Sequence, residues 1–457
     1  MNVLIFSAIS GVIMMFSGLL LKDNRVIRNL AIGLLIAVIA ANIFELRGHP
    51  FFHIDVKGMM AFDRFALLFT LIANTATLAF FLLSAKDLEK VGSHYSDYFA
   101  LLFFTLCGIA LTASFKSMLI LFLGIEILSI PLYILTGSNK NNLKSNEASL
   151  KYFLMGSFST GLMLMGITFI YGATGTFNTL LMHPDAQSGP SVLLIAGMLL
   201  LLFSLSFKVS AAPFHFWAPD VYDGAPTVIT SYMATIIKAA SFIAFMRLFE
   251  DAFGTIQPEW KLVVGIIAAA TLFVGNITAV FQQSVKRMLA YSSIAQAGFM
   301  MLAVYSLTSD AKEGLLLYAA AYSIATIGIF GVLAKMQDQT FKGFNGFAKK
   351  EPVVAATLVI FLLSLAGIPL TAGFLAKLYM LKATVDGGSL WLAIFAVLMA
   401  AVSVYYYFRL IQAMYFKEAE AGTIALSQNF KITLISLAAL TILLGVFPNL
   451  ITYWLYF

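Results

Sequence analysis

The chain has 457 residues, 61% of them hydrophobic and 11% charged, against about 25% charged in a typical soluble chain. With a mean hydropathy of +0.92 and apolar runs of about 20 residues, each able to cross roughly 30 Å of hydrocarbon, a water-soluble globular domain is excluded. The net charge of +6 comes from Lys and Arg scattered over short loops rather than gathered in a patch, which argues against a nucleic-acid-binding face.

The runs are apolar on every face and too long for barrel strands, so the predicted fold class is an all-α polytopic membrane protein of about 14 transmembrane helices. Residues 3–21, 27–44 and 61–83 form helices one to three, and the apolar start of the first reads as a spanning helix rather than a removed leader. Helices four to eight cover 98–113, 117–136, 147–171, 191–209 and 227–249. Helices nine to thirteen cover 261–281, 285–307, 313–336, 352–385 and 389–416, and helix fourteen covers 430–454. Lys and Arg fall more often in the loops after odd-numbered helices, which puts those loops in the cytoplasm and both termini outside.

Two helices carry a proline-marked break, at Ser210-Ala211-Ala212-Pro213 in helix seven and Gly367-Ile368-Pro369 in helix twelve, because proline lacks an N–H and its ring clashes with the preceding turn. The spacing of the breaks suggests that helices four to eight recur as helices nine to thirteen, and five being odd, the second copy is inverted. Broken helices at matching places in inverted repeats mark ion sites near the membrane midplane. The resulting division is 1–97 for an N-terminal three-helix segment, 98–260 and 261–420 for the repeats, and 421–457 for the C-terminal helix.

Four ionisable residues stand deep in these runs or beside their breaks: Glu126 in helix five, Lys208 just before the first break, Lys238 in helix eight and Lys377 just after the second break. Each central charge costs about 2.5–3.5 kcal/mol to insert even on the lenient scale. Burial favours the neutral form of a lysine and a nearby carboxylate favours the charged form, so a movable Glu–Lys contact can load and unload a proton. Stripes of hydroxyls at helical spacing accompany them: Glu126, Ser129 and Tyr133; Ser231, Thr235 and Lys238; Tyr318, Tyr322 and Thr326. His215, in Pro213-Phe214-His215-Phe216-Trp217, is a possible relay between the lysines of helices seven and eight.

Plainer uses exist for the same residues. Glu126 and Lys208 can form a structural ion pair, Lys238 and Lys377 can satisfy unwound carbonyls, and hydroxyls also hold membrane helices together. His215 can be a packed histidine. Lys151 can snorkel to the surface, while Arg64 and Arg409, near helix ends, read as anchors. His49 and His53 are separated by Pro50 with no further ligands, so no metal site is expected. The single Cys107 lies inside an apolar run, which leaves no thiolate set for an iron–sulfur cluster, and no nucleotide-binding motif occurs. Any redox chemistry therefore belongs to partner chains.

The stretch from Phe207 through Ala212-Pro213-Phe214-His215-Phe216-Trp217-Ala218-Pro219-Asp220-Val221-Tyr222-Asp223-Gly224-Ala225-Pro226 to Lys238 resembles the proton-translocating antiporter-like membrane subunits of respiratory complex I. So do Val285-Lys286-Arg287-Met288-Leu289-Ala290-Tyr291-Ser292-Ser293-Ile294 and Gly367-Ile368-Pro369-Leu370-Thr371-Ala372-Gly373-Phe374-Leu375-Ala376-Lys377. The similarity spans helices four to thirteen. The form Asp-Val-Tyr-x-Gly-Ala-Pro is similar to the N branch of that family rather than to its L, M or Mrp antiporter branches. The absence of a lateral helix after helix fourteen agrees with that branch, and three helices before Tyr98 suggest a bacterial plasma membrane.

The resemblance implies proton translocation coupled to electron transfer from NADH to quinone, with NADH, FMN, iron–sulfur clusters and quinone all in partner subunits and no cofactor in this chain. It implies neighbouring antiporter-like and small membrane subunits as partners. By matching position, Glu126 would pair with Lys208, Lys238 would be the central lysine, and Lys377 the lysine of the exit half-channel. The rival of another class is a cation/proton antiporter subunit of a non-redox, Mrp-type assembly; a third reading is a purely structural subunit.

Overall fold

The computed structural model describes residues 1–92, 94–182, 189–418 and 426–456. Among them every extended element is a helix, and the only β contacts are the isolated bridges Met60–Phe115, Ser117–Asn178 and Ser284–Thr340. Helices α1 (Asn2–Leu20), α2 (Asn24–Leu46) and α3 (Arg64–Leu88) precede α4 (Tyr95–Ser114), α5 (Met118–Thr136), α6 (Leu143–Thr174) and α7 (Val192–Lys208). After the first break come α8 (Trp217–Gly224), α9 (Thr227–Tyr232) and α10 (Lys238–Phe253), then α11 (Gln257–Val280), α12 (Val285–Ser306) and α13 (Ser309–Leu333). The short α14 (Phe347–Lys350) leads into α15 (Pro352–Ala366), α16 (Ala372–Asp386), α17 (Leu390–Phe416), α18 (Gln428–Val446) and the single turn α19 (Asn449–Thr452).

Twelve of the described helices are long and apolar enough to cross a membrane, and α7 and α15 are shorter apolar helices. Their ends are set by local chemistry. Asp63 accepts from Ala66 N at 2.9 Å, Ser191 from Leu194 N at 3.2 Å and Ser284 from Arg287 N at 3.4 Å, each satisfying a backbone donor of the first turn. Both breaks fall where the sequence places them. α15 stops at Gly367, whose φ of +82° suits a residue without Cβ, and α16 starts only at Ala372.

Several helix ends differ from expectation, helix three running on to Leu88 rather than 83 among them, and helix eight differs in kind. α6 begins at Leu143 rather than 147, because Asn142 caps it and the polar residues 144–147 lie on its first turns. α18 ends at Val446, two residues before Pro448, so helix fourteen is shorter than predicted. Helix eight is not one α-helix: a π turn over Met233–Ile237 joins α9 to α10 immediately before Lys238. The expected boundary between 420 and 421 lies outside the described residues.

The molecule is layered by burial. The span Thr227–Asp251 and α13 are wholly buried and α12 nearly so, whereas α1, α2, α6, α17 and α18 bury less than half of their apolar windows. Large apolar side chains cover that outer ring, Leu19, Phe158 and Leu390 among them, as a lipid-facing surface requires. Small residues let the helices close up: a Cβ on Gly108 would stand 2.8 Å from Leu128 Cα, and one on Gly275 would stand 2.8 Å from Ala295 Cα. These two contacts join α4 to α5 and α11 to α12, and are 167 positions apart in both partners (108 to 275, 128 to 295).

Candidate functional site

The polar residues of the interior form two groups around the two breaks, with Lys238 between them. α7 delivers Lys208 at its last residue, where the chain leaves the helix for the break. Its ammonium donates to Ser129 Oγ at 3.2 Å, Tyr133 Oη at 3.4 Å and Thr160 Oγ1 at 3.5 Å. Ser129 and Tyr133 stand one turn apart on α5, as the hydroxyl stripe predicts. Glu126 lies on the same face but forms no ion pair with Lys208 within 4.0 Å. Instead Thr160 of α6 stands between them and donates to Glu126 Oε1 at 2.7 Å.

The break that follows is held from both sides. Trp217 donates from Nε1 to Phe207 O at 3.1 Å and stacks on Tyr152 of α6, ring centroids 4.9 Å apart. Ala212 N donates to Thr271 of α11 at 2.8 Å. His215 lies here, largely buried, with its Nδ1 unpartnered and Phe216 beside its ring. No described hydrogen bond joins it to Lys208 or Lys238, so the suggested relay is not hydrogen-bonded to either lysine.

Lys238 opens α10 on the fully buried crossing. Its Nζ donates to the carbonyl oxygen and the hydroxyl of Ser293 on α12, both at 3.0 Å, with the Tyr222 ring centroid 5.7 Å away. The π turn before it leaves carbonyls out of the α pattern, and two hydroxyls serve them: Thr235 donates to Ser231 O at 2.6 Å and Tyr322 of α13 to Ala234 O at 2.8 Å. Buried hydroxyls of Ser206 and Ser231 have no protein partner, and groups of this kind are normally satisfied by ordered water.

One turn beyond Ser293, Gln296 receives a hydrogen bond from Tyr318 at its Oε1. It donates from Nε2 to Tyr407 Oη at 3.0 Å and to Leu365 O at 3.1 Å. Leu365 O also accepts from Lys377 at 2.7 Å, and Ala366 O accepts from it at 3.2 Å. Lys377 thus sits on the C-terminal carbonyls of α15, the end of a helix that carries roughly half a negative charge, with the Phe299 ring 4.5 Å from its Nζ. Gln296, Tyr318, Tyr322, Ser364 and Lys377 line a cavity of about 10 Å³, close to the room one water needs.

Two further cations within the predicted spans have local work. Lys151 pairs with Glu147 at 2.8 Å and Asp220 at 3.2 Å near the surface, and Arg409 is held by Gln282 O at 2.9 Å and Gln283 Oε1 at 2.8 Å. Sequence reasoning missed Thr160, Ser293, Gln296 and Tyr407, which are neutral and gave no charge signal. It also missed the buried Lys286, which donates to Asp223 O at 2.9 Å and Ala225 O at 2.6 Å and holds the end of α8. Its position at the second residue of a helix hid it among loop cations.

A family profile described as NADH:quinone oxidoreductase/Mrp antiporter, TM, matches residues 115–403. The NADH-quinone oxidoreductase subunit N of Cytophaga hutchinsonii is 40% identical, with 99% of this chain and 98% of that one covered. The chain belongs to the subunit N family of NADH-quinone oxidoreductases. The subunit N of Flavobacterium psychrophilum is 38% identical with 99% of both chains covered. A chain in the structure of respiratory complex I from Thermus thermophilus with bound aureothin has a TM-score of 0.85 at 30% identity, covering 99% of this chain and 98% of its own. A chain of the Mrp complex from Dietzia sp. DQ12-45-1b has a TM-score of 0.86 at 19% identity, covering 99% and 95%, a likeness of fold alone. The profile match takes in Glu126, Lys208, His215, Lys238 and Lys377.

Proposed function

We propose that this chain is a membrane-arm subunit of an NADH:quinone oxidoreductase and moves protons from the cytoplasm to the exterior of a bacterial plasma membrane. Electron transfer from NADH through FMN and iron–sulfur clusters to quinone takes place in partner subunits, and this chain carries no redox centre. The neighbouring antiporter-like and small membrane subunits pass the driving signal to it. Both termini face outside.

In this reading Glu126 and Lys208 load the proton, Lys238 receives it and Lys377 releases it, with His215 lining the first break beside the path. Moving one charge outward against 100 mV takes about 2.3 kcal/mol, so the buried groups change proton affinity by at least that order during the cycle. The observation that carries the proposal is the chain of contacts through Lys238: it lies on the fully buried crossing and touches Ser293, one turn from the Gln296 that shares Leu365 O with Lys377. A lysine there with hydroxyl, carbonyl and aromatic neighbours serves no packing purpose that an apolar residue would not serve at lower insertion cost.

The division into two inverted repeats, 98–260 and 261–420, flanked by 1–97 and 421–457, belongs to the same reading, as does a count of fourteen crossings with helices seven and twelve broken. The matched contacts at Gly108 and Gly275 support it, as do the matched bridges at Ser117 and Ser284, again 167 positions apart (117 to 284).

The test is NADH-driven proton pumping in inverted membrane vesicles carrying the native chain or Lys208→Ala, with assembly of the complex measured in the same samples. Loss of pumping together with NADH oxidation in a fully assembled complex is the expected result. Unchanged rates, with sodium-dependent exchange that needs no electron donor, would instead favour a cation/proton antiporter.

A further inference from the structure

The site around Lys208 contains a group that neither the charge pattern nor the family resemblance singles out. Thr160 is largely buried on α6 and is the one described side chain that touches both Glu126 and Lys208: its hydroxyl donates to Glu126 Oε1 at 2.7 Å and accepts from Lys208 Nζ at 3.5 Å. The other hydroxyls at Lys208 do not share this position. Ser129 commits its proton to Ile125 O, one turn back on its own helix, at 2.6 Å. Tyr133 meets Lys208 but has no hydrogen bond to Glu126.

Thr160 also has a second acceptor for its single proton, Gly156 O at 3.1 Å. A hydroxyl donates one hydrogen bond and rotates freely about its C–O bond. It can therefore point at Glu126 while the carboxylate is charged, or turn back to its own helix when Glu126 no longer accepts. Gly156 makes this arrangement possible in another way. A Cβ at that position would come within 2.7 Å of Tyr133 Cζ and closer still to its hydroxyl, so only glycine leaves room for Tyr133 to lie beside Lys208. Gly156 and Thr160, one turn apart on α6, form one wall of the site.

We propose that Thr160 is the hydroxyl through which Lys208 and Glu126 exchange a proton, an inference that rests on the proton-translocating role proposed above. In the step, the Lys208 ammonium gives one Nζ proton to Thr160 Oγ1 while the original Thr160 hydroxyl proton passes to Glu126 Oε1. One N–H and one O–H bond break and two O–H bonds form. The products are a neutral amine, a hydroxyl and a carboxylic acid, with no electron transferred and no co-reactant consumed. One charge of each sign disappears from the interior together, so the step never leaves a lone buried charge of the kind that is most costly to hold.

The test compares Thr160→Val, which keeps the shape and removes the hydroxyl, with Thr160→Ser, which keeps the hydroxyl. Both are made in the native and the Glu126→Gln chains, beside Lys208→Ala, and NADH-driven acidification of inverted vesicles is read per assembled complex. The expected result is a fall of about tenfold or more in Thr160→Val, within the range of a lost acid–base group, recovery of at least half the native rate in Thr160→Ser, and no further loss from Thr160→Val in the Glu126→Gln background. Native rates in Thr160→Val with Lys208→Ala inactive would overturn the relay and leave the parent reading standing, whereas native rates in both would overturn the parent reading as well. Equal losses in the Val and Ser variants, or losses that add to that of Glu126→Gln, also overturn the relay. If Thr160→Val does not assemble, Thr160→Ala replaces it: an inactive Ala beside an active Ser supports the relay, and equal activities contradict it.

Discussion

Around Lys208 the polar neighbours are the hydroxyls of Ser129, Tyr133 and Thr160, with Glu126 one hydroxyl further on. Around Lys377 they are the carbonyls of Leu365 and Ala366, and no described carboxylate pairs with it. Under the 167-position offset of the matched contacts at Gly108 and Gly275, Glu126 corresponds to Ser293 and Ser129 to Gln296. The carboxylate of the first site is thus a neutral hydroxyl in the second. A carboxylate is a counter-charge that protonation can switch off, whereas the end of a helix presents a fixed partial charge. In the proposed proton path, the first site changes its hold on a proton when its surroundings change, and the second offers a constant field into which a proton is delivered and from which it leaves.

The strongest way to break this contrast is Lys377→Ala, which removes the lysine of the second site. NADH-driven pumping per assembled complex should fall by about tenfold or more, and a variant that pumps like the native chain would leave the second site without a role. Glu126→Gln tests the first site and should lose about tenfold in pumping while keeping assembly, because the amide still accepts from Thr160 but no longer carries a switchable charge. The mirrored change, Ser293→Glu, places a carboxylate where the second half has none; it should hold Lys238 charged and slow turnover, and a faster enzyme would contradict the assignment of Lys238 as a mobile carrier.

Gln296→Leu sharpens the comparison further. It strands the Tyr318 hydroxyl and removes one of two donors from Leu365 O, at a cost of about 1–3 kcal/mol, visible as a lower Tm of the detergent-solubilised complex. The smallest effect is expected from Tyr322→Phe. It leaves Ala234 O at the π turn without its hydroxyl, costing about 0.5–1.5 kcal/mol, and a Tm equal to that of the native complex would show that the π turn does not depend on Tyr322.

The spans and both breaks were legible because apolar length and proline act through local sterics, which need no tertiary context. The four ionisable residues were legible for a related reason: a charge inside an apolar run stands out wherever the helix turns. The rest depends on how helices are rotated against each other. Thr160 and Gln296 resemble any helical Thr or Gln until α6 and α12 are placed, and the Glu126–Lys208 pair reads as a direct contact until α6 is found to insert a hydroxyl between them. The residues Met233–Ile237 have ordinary helix propensities, so nothing local marks the π turn that sets the approach of Lys238.

In the proposed path Lys238 joins the two sites. Its most direct test is Lys238→Met, a substitution of similar length without charge, measured as protons moved per NADH oxidised in inverted vesicles with the complex shown to be assembled. Pumping should be lost and NADH oxidation should fall with it; a native ratio at a native rate of NADH oxidation would show that protons do not pass through Lys238.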